Sequence, residues 1–136
     1  MKKLYRFELA FEGKPQDVGF LRGLSDVGLP PKTLWMLHDG FDNLPVPKLD
    51  EVDDVPADVS FWFTEKGVNR FEAAINLVAY HIGLHNWQLI AAVMEDPLGG
   101  LYRDQYQTVF PLEYVRYKSP VYVGVKSVKE IIDYDS

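Results

Sequence analysis

Cysteine is absent from the chain. Its absence excludes disulfides, thiolate nucleophiles and cysteine-ligated zinc together, and it fits a reducing compartment. Long apolar runs are also missing. No stretch approaches the ~18 consecutive apolar residues of a membrane helix. The chain begins Met1-Lys2-Lys3, but Arg6, Glu8 and Glu12 interrupt any signal-peptide core. A soluble cytoplasmic protein with no membrane association is the expectation. There is no Gly-rich phosphate loop, since Gly99-Gly100 stands alone, and no GxSxG nucleophile elbow. The Ser, His and Asp residues show no spacing that marks a triad. A basic track for phosphates is lacking, which disfavours nucleic acid as a partner.

What is present fits one domain spanning residues 1–136. That length buries a real core without staples. The 14% aromatic content is high, and it implies large packing units or flat contact surfaces. Charge is unevenly spread. Residues 39–58 hold Asp39, Asp42, Asp50, Glu51, Asp53, Asp54 and Asp58 against Lys48 alone, a net of −6 that equals the net charge of the whole chain. Pro45, Pro47 and Pro56 deny this stretch regular ladders, so we read it as a long acidic surface loop.

The alternation from Lys3 to Phe11 predicts a one-sided strand, with Tyr5, Phe7, Leu9 and Phe11 inward and Leu4, Arg6, Glu8 and Ala10 on the other face. Pro15 reads as the start of a short helix that stops at Gly28. Lys32 to His38 reads as one or two further helical turns. Val59 to Phe63 carries aromatics on both faces, the mark of an interior strand. Thr64 is then a suitable N-cap, and Gly67 a mild weak point in the helix that follows. Val68, Phe71, Ile75, Val78 and Ile82 step by 3 and 4, which predicts one continuous helix to Ile82. Leu89 to Met94 is apolar on both faces. It is a second central strand, joined to the first by a right-handed crossover if the two are parallel. Tyr102 to Phe110 and Val121 to Val125 also read as strands, while 127–135 suits either a helix with a Ser127/Glu130 capping box or a strand. The fold class expected is α+β: a single mixed β-sheet, one long central helix at about 65–82 packed on it, and one or two short helices.

Few residues mark chemistry. His81 and His85 lie four apart, but Gly83 between them ends the helix, and only His38 or the acidic loop could supply a third ligand, so we expect no metal. Asp50, Glu51, Asp53 and Asp54 lack the glycine and terminal glutamate of a calcium loop. They suit contact with a basic protein partner. Five of the eight tyrosines, among them Tyr102 and Tyr106, fall between 102 and 122, and tyrosine supplies contact area at low entropic cost.

The order of elements resembles the small ADP-ribosyltransferase fold. In the toxin-like branch of that family an early strand carries an arginine that contacts NAD, as Leu4-Tyr5-Arg6 would here. A later strand carries a Ser-Thr-Ser-type motif before a helix, the place of Phe63-Thr64-Glu65. A third strand carries a catalytic glutamate two residues after a Glu or Gln, and Gln105-Tyr106-Gln107 occupies that region. The resemblance implies an NAD cleft at Arg6, Thr64, Gln105 and Gln107. Gln107 stands where the family has a carboxylate, and a neutral amide stabilises oxocarbenium charge poorly, so it also implies a catalytically degenerate site. Two expectations follow. The first is a non-enzymatic binding or regulatory domain, with no cofactor, that meets a protein partner through the acidic loop and the tyrosine-rich surface. The second is an NAD-using, ADP-ribosyltransferase-like domain.

Overall fold

The computed structural model describes residues 2–16, 18–47, 49, 58–118 and 120–133. Its centre is β1 (Lys3–Phe11), which pairs with β4 (Trp87–Glu95) along its entire length, from Lys3↔Glu95 to Phe11↔Trp87. On its other side β1 meets β3 (Val59–Thr64), and β3 pairs with β6 (Gln107–Pro111). The short strand β5 (Tyr102–Arg103) closes that edge, and β7 (Val121–Val125) forms the opposite one. A two-residue strand, β2 (Lys14–Pro15), folds back on the end of β1. The seven strands therefore run β5-β6-β3-β1-β4-β7, with β2 beside β1.

Every pairing among the described residues is antiparallel, so the sheet is not mixed as its sequence suggests. β3 and β4 do run parallel to each other, since each opposes β1, but β1 lies between them. The sequence that joins them could not show that an earlier strand had been inserted.

Six α-helices flank the sheet among the described residues, more than the one long and one or two short ones expected. They are α1 (Phe20–Gly23), α2 (Pro31–Asp39), α3 (Glu65–Arg70), α4 (Glu72–Gly83), α5 (Leu112–Lys118) and α6 (Val128–Asp133). Pro15 lies in β2 rather than at a helix start, and the first helix begins at Phe20. The C-terminal segment is helical from Val128, whose N–H donates to Asn76 Oδ1 on α4 at 2.8 Å.

The single long helix is also a correction. It divides at Phe71, whose φ of −107° and ψ of 18° leave helical geometry. The apolar stripe survives the break, with Val68, Phe71, Ile75, Val78 and Ile82 all buried. At the break the Phe71 ring meets Phe41, Phe63 and Tyr106 at 5.7, 6.3 and 5.9 Å between centroids. A large aromatic cluster has replaced one helical residue's geometry. Thr64 caps α3 as its type suggests: its Oγ1 accepts from Gly67 N–H at 3.0 Å. Gly67 is more than a weak point. A Cβ there would lie 2.1 Å from the Tyr106 carbonyl oxygen, so only glycine lets α3 approach the turn before β6.

Two cores result, one on each face of the sheet. Tyr5, Phe7, Leu9, Phe63, Leu89 and Val93 join the helices α1 to α4 and α6 in the larger. Leu4, Trp62, Ala92, Met94, Phe110 and Val115 of α5 form the smaller. β1 is thus not one-sided: residues 4–10 are buried on both faces, including Arg6 and Glu8. At the end of β4, Asp96 accepts a paired set of bonds from Arg103 at 2.7 and 2.8 Å and another from Leu98 N–H at 2.9 Å. The Arg103 hydrogen bond outweighs partial burial and holds the Asp96 carboxyl below its ordinary pKa.

Three outcomes test this architecture. Phe71→Ala should cost ~3–5 kcal/mol by urea unfolding, and Asn69→Ala on the exposed side ~0.5 kcal/mol or less. Gly67→Ala should cost ~1–3 kcal/mol, because the atom it strikes is backbone, whereas Gly83→Ala meets nothing within 4 Å and should be tolerated. Asp96→Asn should lower the stability measured by urea unfolding at pH 7 by about 1 kcal/mol or less, the pair being partly exposed. A depressed folded-state pKa stabilises above the unfolded value and is lost as pH falls through the folded one. The gap between wild type and Asp96→Asn should therefore close on titration into the acid range below the ordinary carboxylate pKa.

Candidate functional site

β1 and β3 part company early. Their ladder holds two pairs, Leu4↔Thr64 and Tyr5↔Phe63, although β1 continues to Phe11 beside β4 and β3 reaches back to Val59 beside β6. A cavity of about 590 Å³ lies where they diverge. Its size falls within the range of small-molecule sites.

The cavity is built mainly from rings. Phe7 and Phe63 come from the diverging strands, Phe20 from α1, and Phe41 from the turn after α2. Edge-to-face contacts lock these together, with centroid separations of 5.8 Å for Phe7–Phe20 and Phe7–Phe63 and 5.2 Å for Phe20–Phe41. Trp62 and Phe61 line another part. Trp62 is buried, and its Nε1–H donates to Ser60 Oγ at 3.0 Å. Phe61 is half-exposed and lies toward solvent with Val46.

Into this apolar space comes Arg6, only 9% exposed. Among the described residues no hydrogen bond or ion pair engages its guanidinium. Arg22 and Asp58, both exposed, stand at the periphery. A cation withdrawn from water without a partner is costly, so Arg6 is the least satisfied group in the site.

The structure separates the residues that the sequence suggests for an NAD cleft. Arg6 and Gln107 line the cavity. Thr64 and Gln105 do not line it. Thr64 Oγ1 donates to the Gln105 carbonyl at 2.7 Å while capping α3, so both its functions are structural. The Gln105 side chain is exposed and accepts from Lys66 Nζ at 2.6 Å. Gln107 is buried, its Nε2 donating to the Pro45 carbonyl and its backbone N–H to Asp104 Oδ1.

The two candidate tyrosines of the partner surface face inward in part. Tyr102 OH donates to Asp104 Oδ2 at 2.6 Å, and that bond raises the phenol pKa above its ordinary value. Tyr106 packs on Phe71, and its N–H donates to Asp104 Oδ1 at 2.7 Å. Asp50, Glu51, Asp53 and Asp54 lie outside the described residues. His81 is half-buried in α4 against Tyr80, while His85 lies exposed beyond the helix end. Among the described residues no group of three or more His, Asp or Glu side chains gathers to hold a metal, and no helix is long and apolar enough to cross a membrane.

Sequence reasoning missed the rings of the cavity, Phe20, Phe41 and Phe61 above all. The only signal for them was the high aromatic content. Comparison with protein-family models, curated proteins and solved structures finds no match to this chain.

Proposed function

We propose that this domain binds a small anionic ligand with a flat or apolar body in the cavity between β1 and β3, and that it acts by binding rather than by catalysis. One observation carries the reading: an arginine nine-tenths buried, without a partner among the described residues, lines an aromatic chamber. An anion placed there would pair with a desolvated charge, where attraction is far stronger than in water. The rings supply apolar area and faces for stacking. Among the described residues that line the cavity with Arg6, none is arranged as a nucleophile, or as an acid and base pair.

NAD is the first nucleotide to try, because Arg6 and Gln107 share the cavity. The neutral amide of Gln107, already engaged with the Pro45 carbonyl, favours retention of such a ligand over transfer from it.

Calorimetry with NAD, ADP-ribose and aromatic carboxylates tests the proposal. Wild type should bind at least one of these, and Arg6→Gln should weaken that binding tenfold or more, or about 1.4 kcal/mol. The ligand-free Arg6→Gln protein should be as stable as wild type or more so, since an unpaired buried charge has been removed. No heat with any of the set, together with a marked loss of stability in Arg6→Gln, would make Arg6 a structural residue and end the proposal.

A further inference from the structure

The backbone around the cavity narrows the ligand class. In an antiparallel strand the N–H and C=O of one residue point to the same side, and the side alternates along the chain. Leu9 C=O accepts from Gln16 N–H on the β2 side, while Lys2 C=O accepts from Asp96 N–H on the β4 side. Odd residues of β1 therefore address the gap. On β3, Thr64 N–H donates to the Tyr106 carbonyl, and Asp58 C=O accepts from Leu112 N–H, so even positions face β6 and odd ones face β1. The hydrogen-bonded pair due after Tyr5↔Phe63 is Phe7↔Phe61, and the ladder omits it. Phe7 and Phe61 each turn a donor and an acceptor toward the cavity, and no ladder pair joins them across it among the described residues. Two interior strand edges thus face each other across an apolar space.

The gap is short and closed. Tyr5↔Phe63 bounds it at one end, and the Gln16 N–H bond to Leu9 C=O bounds it at the other. An extended chain that enters beside Phe7 cannot run past the Tyr5↔Phe63 pair, so it must end there. Arg6 is the residue next to that end. From this we infer that the cavity captures the carboxy-terminal residue of a peptide, held antiparallel to β1 opposite the one open position, Phe7, with its terminal carboxylate on Arg6 and the preceding chain leaving the sheet before Leu9. In that register the residue opposite Phe7 shares its face, so its side chain enters the ring cluster of Phe20 and Phe41. A large apolar terminal residue fits best. Main-chain bonds supply affinity and the side-chain pocket supplies specificity, as in other strand-addition modes. The inference rests on the proposed ligand-binding role of the cavity and names the ligand.

The test uses acetylated tripeptides ending in Phe, Leu or Ala, each as free acid and as carboxamide, with the full chain. Titration calorimetry should show the Phe or Leu acid binding at least tenfold tighter than its amide and than the Ala acid. Arg6→Gln should erase the acid-over-amide preference. Amide hydrogen exchange should slow at Phe7 and Phe61 when the peptide is bound. Equal binding of acid and amide, or tight binding with no protection at Phe7 and Phe61, overturns the strand model. If no peptide binds but a nucleotide does, this inference falls and the binding role of the cavity stands. If neither class binds, both fall.

Discussion

The pairing of β1 is lopsided, and the rest of the molecule is arranged around that fact. Nine consecutive pairs tie it to β4, and two tie it to β3. Each omitted backbone bond forfeits about 0.5–1.5 kcal/mol, and more where the groups stay dry. A central strand normally has no reason to surrender them. Here the surrendered edge is kept apart by side chains: Phe7, Phe20, Phe41 and Phe63 interlock at centroid distances of 5.2 to 6.4 Å and prop the strands open from the helical face. The same rings extend to Phe71, where the helix pair α3 and α4 breaks. One aromatic cluster thus accounts for the cavity, for the divided helix and for the inward fold of the turn after α2.

Much of this was legible in the sequence. The period of 3 and 4 from Val68 to Ile82 located the buried helical face, because burial depends on which residues project inward. It could not locate the break, because Phe71 keeps its place in the stripe while its backbone departs from the helix. The aromatic run from Val59 to Phe63 marked an interior strand, which β3 is. Thr64 was recognisable as an N-cap from residue type and position alone. Its second bond, to a carbonyl 41 residues away, is tertiary and left no local trace.

The misreading of β1 is the instructive one. Leu4, Arg6, Glu8 and Ala10 alternate with bulky apolar residues, and two charges on one face usually mean solvent. Arg6 is instead 9% exposed and Glu8 2% exposed. Pattern alone cannot separate a charged face in water from a charged face beneath a second layer. On this side of the sheet a second layer includes α5, whose Val115 packs with Leu4 and Trp62 and whose sequence from Leu112 to Lys118 carries no marked apolar stripe. The candidate site was hidden for the same reason. Its walls come from well-separated segments of the chain, most of the rings ordinary core residues by their own context, and only the fold brings them to one place.

Burial of Arg6 asks for an explanation beyond packing. Arginine keeps its charge at any accessible pH, so it cannot relieve desolvation by losing a proton as lysine or histidine can. An apolar residue of similar size at position 6 would fill the same space without that penalty. The adjacent residue, Phe7, turns toward the same space an N–H and C=O that the ladder to β3 leaves out. Either feature alone could be a tolerated imperfection of the fold. Side by side, at the closed end of a split sheet, a fixed cation and an open strand edge describe the two halves of one recognition problem: a carboxylate and the peptide group that carries it.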